Sequence, residues 1–153
     1  MCTSCQWLYT ATPGICSWGC FPYTSGQGVV PSCIAKCVDG SPMQLYHSKN
    51  FRAVKGMAAM MEELMARGPL QTWFQGYGDF FSYKRGIYHH VSGPMVGSHT
   101  PKVLGWGVEG GVLYWLCQQY WGKEWGEGGY FRIMRGNNEC GFEDHGQVAD
   151  AAP

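Results

Sequence analysis

After Tyr46 the chain consists largely of short runs of aromatic and β-branched residues separated by glycines. The clearest runs are LQTWFQGY, KVLGWGV, VLYWLCQQYW and GYFRIMRG, with a Glu109-Gly110-Gly111 turn between the second and the third. Residues of these types favour strands, and glycine allows the tight turns that connect them. The pattern predicts a twisted antiparallel sheet or a small barrel.

One helix is predicted just before these strands. Apolar residues recur there at intervals of three and four, as one face of a helix requires; they are Val54, Met57, Met60, Met61, Leu64 and Met65. Gly68-Pro69 ends the helix, since glycine accepts the left-handed cap and proline cannot continue the turn. The methionines are interpreted as adaptable packing against the sheet.

Length and charge exclude several classes of function. A chain of 153 residues is long enough for one core of ordinary size. Its 11 basic and 11 acidic residues cancel, so we expect neither a nucleic acid nor an anionic membrane as partner. No apolar run is long enough to span a bilayer, and MCTSCQWLYT lacks the features of a signal peptide.

The cysteines are concentrated at the start of the chain. Six of the eight lie within the first 37 residues, namely Cys2, Cys5, Cys16, Cys20, Cys33 and Cys37. Such density is typical of secreted modules held by disulfides, which conflicts with the missing signal peptide. Either a signal lay upstream or the thiols stay reduced. Cys2-x-x-Cys5 and Cys33-x-x-x-Cys37 also have the spacing of zinc ligands, which leaves a zinc site as an alternative.

Several stretches in the same order resemble the C-terminal half of a papain-family cysteine protease, specifically the cathepsin B-like branch. They are GCFPYTSG, PSCIAKC, MEELMARGPL, YGDFFSYKRGIYHHVSG, GSHTPKVLGWGVEGG, YWLCQQYWGKEWGEGGYFRI and RGNNECGFE. The resemblance implies an α+β fold. Residues 49–153 would form the sheet-rich, antiparallel, β-barrel-like lobe with one packed helix, and residues 1–48 a cysteine-rich remnant of the helical lobe.

The same resemblance implies roles for three residues. His99, in GSHT, stands at the position of the catalytic base, which takes the proton of a cysteine thiol and pairs with the thiolate. The family orients this base with the asparagine of an Asn-Ser-Trp triplet, and here the triplet reads Gln119-Tyr120-Trp121. The extra methylene of Gln119 moves its amide by about 1.5 Å. Trp121 matches the tryptophan that covers the orienting contact.

The surroundings of the base also depart from the family pattern. Gly97-Ser98 replaces the usual Gly-Gly before the histidine and is expected to contact substrate, while Pro101 replaces an aliphatic residue. Proline cannot donate to a strand ladder, so Pro101 is expected at an edge or a bulge. His145 is expected at the base of the pocket for the second substrate residue, where some relatives have an acid that accepts arginine.

The nucleophile motif of the family, Gln-Gly-x-Cys-Gly-Ser-Cys-Trp, does not occur in this sequence. The nearest string is Cys2-Thr3-Ser4-Cys5-Gln6-Trp7, which lacks the upstream glutamine. Cys5 is therefore only a weak candidate. We expect that the lobe bearing the nucleophile is missing.

The resemblance further implies a disulfide between Cys20 and Cys37, which closes a loop of 17 residues and would stabilise the fold by about 3 kcal/mol. The family partner of Cys33 lies in the missing part, so Cys33 is unpaired unless Cys2, Cys5 or Cys16 substitutes. Cathepsin B carries an extra loop with paired histidines that makes it an exopeptidase. The Tyr23 to Cys33 segment is too short for that loop and has no histidine, and His89-His90 is interpreted as a surface or structural pair. Any ancestral activity is thus expected to be that of an endopeptidase.

Three functions remain open from the sequence. The chain is interpreted first as a truncated, inactive cysteine peptidase half. The alternatives are an active peptidase completed by a missing N-terminal lobe, and a non-catalytic module that binds a peptide or a protease inhibitor. No cofactor or metal is expected. The family is lysosomal, vacuolar or secreted, but the sequence alone does not assign a compartment to this chain.

Overall fold

The structure is a computed structural model that describes residues 14–22, 31–32 and 34–152. Their regular elements, in chain order, are β1 (His47–Val54), α1 (Met57–Arg67), β2 (Leu70–Gln71), β3 (Phe74–Tyr77), β4 (Ile87–Tyr88), β5 (Met95–His99), β6 (Lys102–Glu109), β7 (Val112–Gln118), β8 (Tyr130–Met134) and β9 (Gly146–Ala152). Two 3-10 segments, Gly78–Ser82 and Glu139–Asp144, complete the set. Within these residues no helix is long and apolar enough to cross a membrane.

The chain divides into two compact units, one of residues Met1–Phe51 with Ala149–Pro153 and the other of residues Arg52–Val148. Little regular structure is described in the first unit before β1. Cys20 and Cys37 are joined there by a disulfide with an S–S distance of 2.01 Å, which confirms the predicted pair. An isolated antiparallel bridge joins Ile15 and Tyr46.

The strands form an open sheet of seven and a separate pair. The order in the large sheet is β1-β9-β2-β6-β7-β8-β4, and β3 pairs with β5 in the small one. Most neighbours are antiparallel, but β4 runs parallel to β8. The predicted α+β class, with a sheet-rich lobe and one packed helix, is confirmed. The large sheet is open rather than closed into a barrel.

The run LQTWFQGY, predicted as one strand, is divided between the two sheets. Leu70 and Gln71 pair with β6, whereas Phe74 begins β3 and pairs with β5. Thr72 lies at the break, where its buried Oγ1 donates a hydrogen bond of 2.8 Å to the Phe142 carbonyl. After this break the chain leaves β6, and β3 pairs with β5, the strand that carries His99.

Helix α1 begins and ends next to glycines with positive φ, and it ends at the predicted Gly68, although Gly68 does not adopt the left-handed helical conformation expected of the cap. Gly56 has φ 88° and Gly68 has φ 93°, and the Gly68 amide donates to the Leu64 carbonyl. Met60 is fully buried, whereas Met65 is 70% exposed. The prediction that Met65 lies on the packed face is therefore wrong, because the buried stripe of the helix is narrower than the spacing indicated.

Aromatic side chains form much of the core of the second unit. Phe74, Phe80 and Phe131 are fully buried, and their ring centroids lie 5.0 to 6.0 Å apart. Trp115 and Phe142 extend this cluster along β7 and the second 3-10 segment, with centroids 6.5 Å apart. Burial of such rings supplies the largest share of the apolar stabilisation. The candidate base is packed against one edge of this cluster.

Candidate active site

His99 is the last residue of β5 and is placed by its pairing with Phe74 at the start of β3. Four aromatic rings surround its imidazole. The ring-centroid distances are 4.8 Å to Trp121, 5.4 Å to Phe81, 5.7 Å to Phe80 and 5.9 Å to Phe74. Trp121 and Phe81 meet the imidazole edge to face, a favoured geometry for aromatic pairs. The imidazole is thereby held in one position from several sides.

Gly76 forms the backbone surface against which His99 rests. It pairs with Gly97 across the β3–β5 ladder. A Cβ at Gly76 would collide with Cδ2 of His99 and would lie 2.6 Å from its Nε2. Only glycine leaves room for the ring, so Gly76 is a positioning residue for the imidazole. This role could not be predicted from the sequence, because the contact forms between two strands.

The imidazole of His99 has few polar contacts. Its Nε2 is buried and has no hydrogen-bond partner among the described residues. Burial lowers the pKa of His99 below its ordinary value of 6.5, because the charged form is the less solvated there. His99 is therefore neutral at pH 7, which is the state a base needs before it accepts a proton.

Gln119 lies directly after β7 and is 4% exposed. Its backbone amide donates to the Gly129 carbonyl at 2.9 Å, and its Oε1 accepts a 3.2 Å hydrogen bond from the Tyr120 amide. Its Nε2 is buried without a partner in the described part of the chain. The amide oxygen thus binds the adjacent backbone, and no hydrogen bond joins Gln119 to His99.

Trp121 packs between the candidate base and a second tryptophan. Its ring is stacked on Phe81 at 5.1 Å with an interplanar angle of 10°, and it meets Trp125 edge to face at 4.9 Å. Trp125 Nε1 in turn donates to the Phe81 carbonyl at 3.2 Å. This arrangement fixes the wall beside His99 and is consistent with a covering role for Trp121.

Three residues that flank His99 in the chain, Gly97, Ser98 and Pro101, depart from the family pattern or are expected to contact substrate. Gly97 has φ 151°, and the exposed Ser98 pairs with Gln75 in the small sheet. Pro101 is fully buried in the two-residue connection between β5 and β6, where its carbonyl accepts from the Thr72 amide at 3.4 Å. The expectation that Pro101 lies at an edge or a bulge is wrong, because the connection places it outside the strands.

His145, the expected base of a substrate pocket, is stacked on another ring. Its centroid lies 3.5 Å from that of Trp73, with an interplanar angle of 12°. Burial lowers the pKa of His145, and the nearby Asp144 carboxylate partly opposes this shift. Both rings are half-buried. A pocket formed here would have an aromatic wall instead of an acid.

The two described cysteines of the second unit, Cys117 and Cys140, are not activated thiols. Cys117 is fully buried, which raises the pKa of its thiol well above the usual value. Burial and the hydrogen bond to Glu139 raise the pKa of Cys140 to about 12. A nucleophile needs the opposite shift. Cys5, the weak candidate, lies outside the described residues.

The alternative zinc site also falls mainly outside the described residues. This holds for Cys2, Cys5 and Cys33, while Cys37 is used in the disulfide. In residues 14–22, 31–32 and 34–152 no three side chains of the ligand types gather around one point.

His90 has a structural role, in agreement with the interpretation of the His89-His90 pair. Its ring stacks on Tyr77 at 3.7 Å, and its Nδ1 lies 3.2 Å from both carboxylate oxygens of Asp79. Asp79 also accepts from the Val91 and Ser92 amides and the Tyr88 hydroxyl. Burial alone would raise the pKa of Asp79, but these hydrogen bonds outweigh it and lower the pKa. The network fixes the loop that leads into β5.

Comparison with protein families gives a match over nearly the whole chain. Residues 2–149 match the family described as "Papain family cysteine protease". The chain is 41% identical over 142 residues to a protein of Giardia intestinalis named "Cathepsin B-like CP1", covering 90% of this chain and 47% of the relative. It is 39% identical over 138 residues to a "Gut-specific cysteine proteinase" of Caenorhabditis elegans, covering 82% and 42%.

Solved structures show the same similarity in three dimensions. The procathepsin B S9 of Trypanosoma congolense superposes with a TM-score of 0.86 at 36% identity, over 96% of this chain and 52% of that one. The digestive procathepsin L2 of Tenebrio molitor gives a TM-score of 0.69 at 27% identity, over 94% and 45%. The chain therefore spans about half the length of the proteins that it matches.

Proposed function

Since the chain belongs to the papain family of cysteine proteases, we propose that it is the histidine-bearing half of a cathepsin B-like peptidase and is inactive by itself. In this proposal His99 is the base and Trp121 covers it. Gly97, Ser98 and His145 contact the substrate, a peptide or protein. The thiolate comes from an N-terminal lobe with the Gln-Gly-x-Cys-Gly-Ser-Cys-Trp motif, which does not occur in this sequence.

The position and state of His99 carry this proposal. The imidazole is held by four rings and the Gly76 backbone, is neutral at pH 7 and has a buried Nε2 without a partner. A buried ring nitrogen without a hydrogen bond costs free energy. It is expected for a base whose orienting contact has been lost. Gln119 lies at the orienting position but uses its oxygen on the Tyr120 amide.

A non-catalytic binding module is the second candidate. Phe81, Met95 and Val96 are about half exposed or more, and Phe81 contacts the His99 ring. Exposed apolar side chains that form a contiguous patch are typical of binding surfaces. In this case a peptide or an inhibitor would bind beside His99 and would not be cleaved.

Complementation tests the peptidase proposal. The chain is mixed with an N-terminal lobe that carries the Gln-Gly-x-Cys-Gly-Ser-Cys-Trp motif, and hydrolysis of a fluorogenic peptide is followed. We expect weak turnover that Gln119→Asn increases by up to about a hundredfold, because the shorter amide can reach Nε2 of His99.

The control for this experiment is His99→Ala, which should abolish turnover both in the unchanged chain and in the Gln119→Asn variant. Turnover that survives His99→Ala would contradict the role of the base. A mixture that binds the peptide saturably without any hydrolysis, even with Gln119→Asn, would favour the binding module.

A further inference from the structure

Arg135 is a buried cation without an acidic partner. The residue follows β8 and is 7% exposed, and it forms no ion pair in the part of the chain that the structure describes. Its Nη1 instead donates to the sulfur of Met57 and to the sulfur of Met61, each at 3.2 Å. Its Nε is buried without a partner.

The other neighbours of the guanidinium leave its hydrogen-bonding capacity largely unused. Its central carbon lies 5.5 Å from the centroid of the Trp115 ring. The carboxylate of Glu143 binds groups that adjoin Arg135, since its Oε1 accepts from Trp115 Nε1 at 3.0 Å and from the amide of the next residue, Gly136, at 2.7 Å. Thioether sulfur is a weak acceptor, and a buried charge without good acceptors destabilises a fold. An oxygen acceptor at the position of either sulfur would relieve this cost.

Met57 and Met61 are placed where such an oxygen could be added. They lie four residues apart on one face of α1, and both are only partly buried, in contrast to the fully buried Met60 between them. The side chains of both residues are therefore partly accessible to a small oxidant, and both sulfurs lie within hydrogen-bond distance of the guanidinium.

We propose that Met57 and Met61 form a modification site for hydroperoxides, in which Arg135 binds the sulfoxide oxygen. The thioether sulfur attacks the terminal oxygen of the hydroperoxide, an S–O bond forms, and the O–O bond breaks. Sulfur is oxidised by two electrons and the peroxide is reduced. The proton of the transferred oxygen passes to the leaving oxygen, which departs as water from hydrogen peroxide or as an alcohol from an organic hydroperoxide.

The product differs from an ordinary oxidised core methionine. A sulfoxide in apolar surroundings is a polar group without a partner and disrupts packing. Here its oxygen replaces a weak sulfur acceptor with a strong one that faces a positive charge, and such hydrogen bonds are the stronger class. Oxidation therefore tightens the attachment of α1 to the end of β8.

The test uses hydrogen peroxide on the chain with Met65→Leu and Met95→Leu, which removes two exposed methionines at 70% and 57% exposure. Peptide mass spectrometry locates the sulfoxides, and thermal unfolding is measured before and after treatment. We expect sulfoxide at Met57 or Met61 and a midpoint that rises by about 2–4 °C. In the matched Arg135→Gln variant the same sulfoxide should lower the midpoint. The proposal would be overturned if the folded protein resists oxidation at both Met57 and Met61. It would also be overturned if oxidation lowers the unfolding midpoint equally with Arg135 and with Arg135→Gln.

A second pair of variants avoids any loss of Arg135. Met57→Gln places an amide oxygen near the guanidinium, whereas Met57→Leu keeps the size of the side chain and offers no acceptor. The unfolding midpoint of Met57→Gln should exceed that of Met57→Leu by about 2–4 °C. A glutamine variant no more stable than the leucine variant would show that the site does not bind an added oxygen.

Discussion

Replacing Gly76 with alanine is expected to displace the His99 imidazole and to destabilise the fold by about 1–3 kcal/mol. The new methyl group would collide with Cδ2 of His99, whose ring is packed against the rings of Phe74, Phe80 and Trp121. The ring should move toward solvent. Its pKa should then rise toward the ordinary value of about 6.5, because less burial opposes the charged form.

An NMR titration of the imidazole, together with urea unfolding, measures both effects. In the unchanged chain the unfolded state takes up a proton before folded His99 does, so stability falls as the pH drops below about 6.5. This fall should be smaller in Gly76→Ala. Gly105→Ala is the control, since nothing lies within 4 Å of an added Cβ there. An unchanged His99 pKa in Gly76→Ala would contradict the positioning role of Gly76.

Removal of the Phe80 ring is expected to have the largest effect on stability. Phe80 is fully buried, and its ring lies 5.0 Å from those of Phe74 and Phe131 and 5.7 Å from that of His99. Phe80→Ala should cost about 3–5 kcal/mol, which is a large part of the 5–15 kcal/mol that stabilises a typical domain.

The neighbouring Phe81 provides a matched control, since it contacts His99 as well but is 49% exposed. Phe81→Ala should cost clearly less than Phe80→Ala in the same urea unfolding experiment, because only part of its ring leaves apolar surroundings. If the two substitutions were equally destabilising, Phe80 would not be the centre of the aromatic cluster.

Features that depend on local sequence could be predicted well. The helix period and the Gly68-Pro69 stop located α1, and the aromatic runs located most strands. The Cys20–Cys37 pair followed from the family resemblance and not from spacing. These features depend on local backbone preferences or on a motif whose residues are close in the chain.

Features that depend on contacts between distant elements could not be predicted. One predicted strand is divided between two sheets at Thr72, whose Oγ1 donates to the carbonyl of the distant Phe142. The need for glycine at position 76 arises only when β3 pairs with β5. The Gln119 oxygen accepts a hydrogen bond from the Tyr120 amide and not from His99. This partner depends on side-chain geometry, which the residue type does not determine.

The burial of the charged Arg135 side chain could not be predicted from the sequence either. The periodic pattern predicts that Met57 and Met61 pack against the core, as they do, but it contains no information on which residue lies opposite them. Arg135 is separated from them by more than 70 residues. Its lack of an acidic partner becomes visible only from the tertiary contacts.

The central claim is that this chain carries the base of a cysteine peptidase and no nucleophile of its own. The most direct test is to treat the chain, under mild reduction, with an epoxide peptide that labels papain-type thiolates, and to map any adduct by mass spectrometry. We expect no stoichiometric adduct on any cysteine, Cys5 included. A stoichiometric adduct on one cysteine that disappears in His99→Ala would show a working Cys–His pair and would contradict the claim.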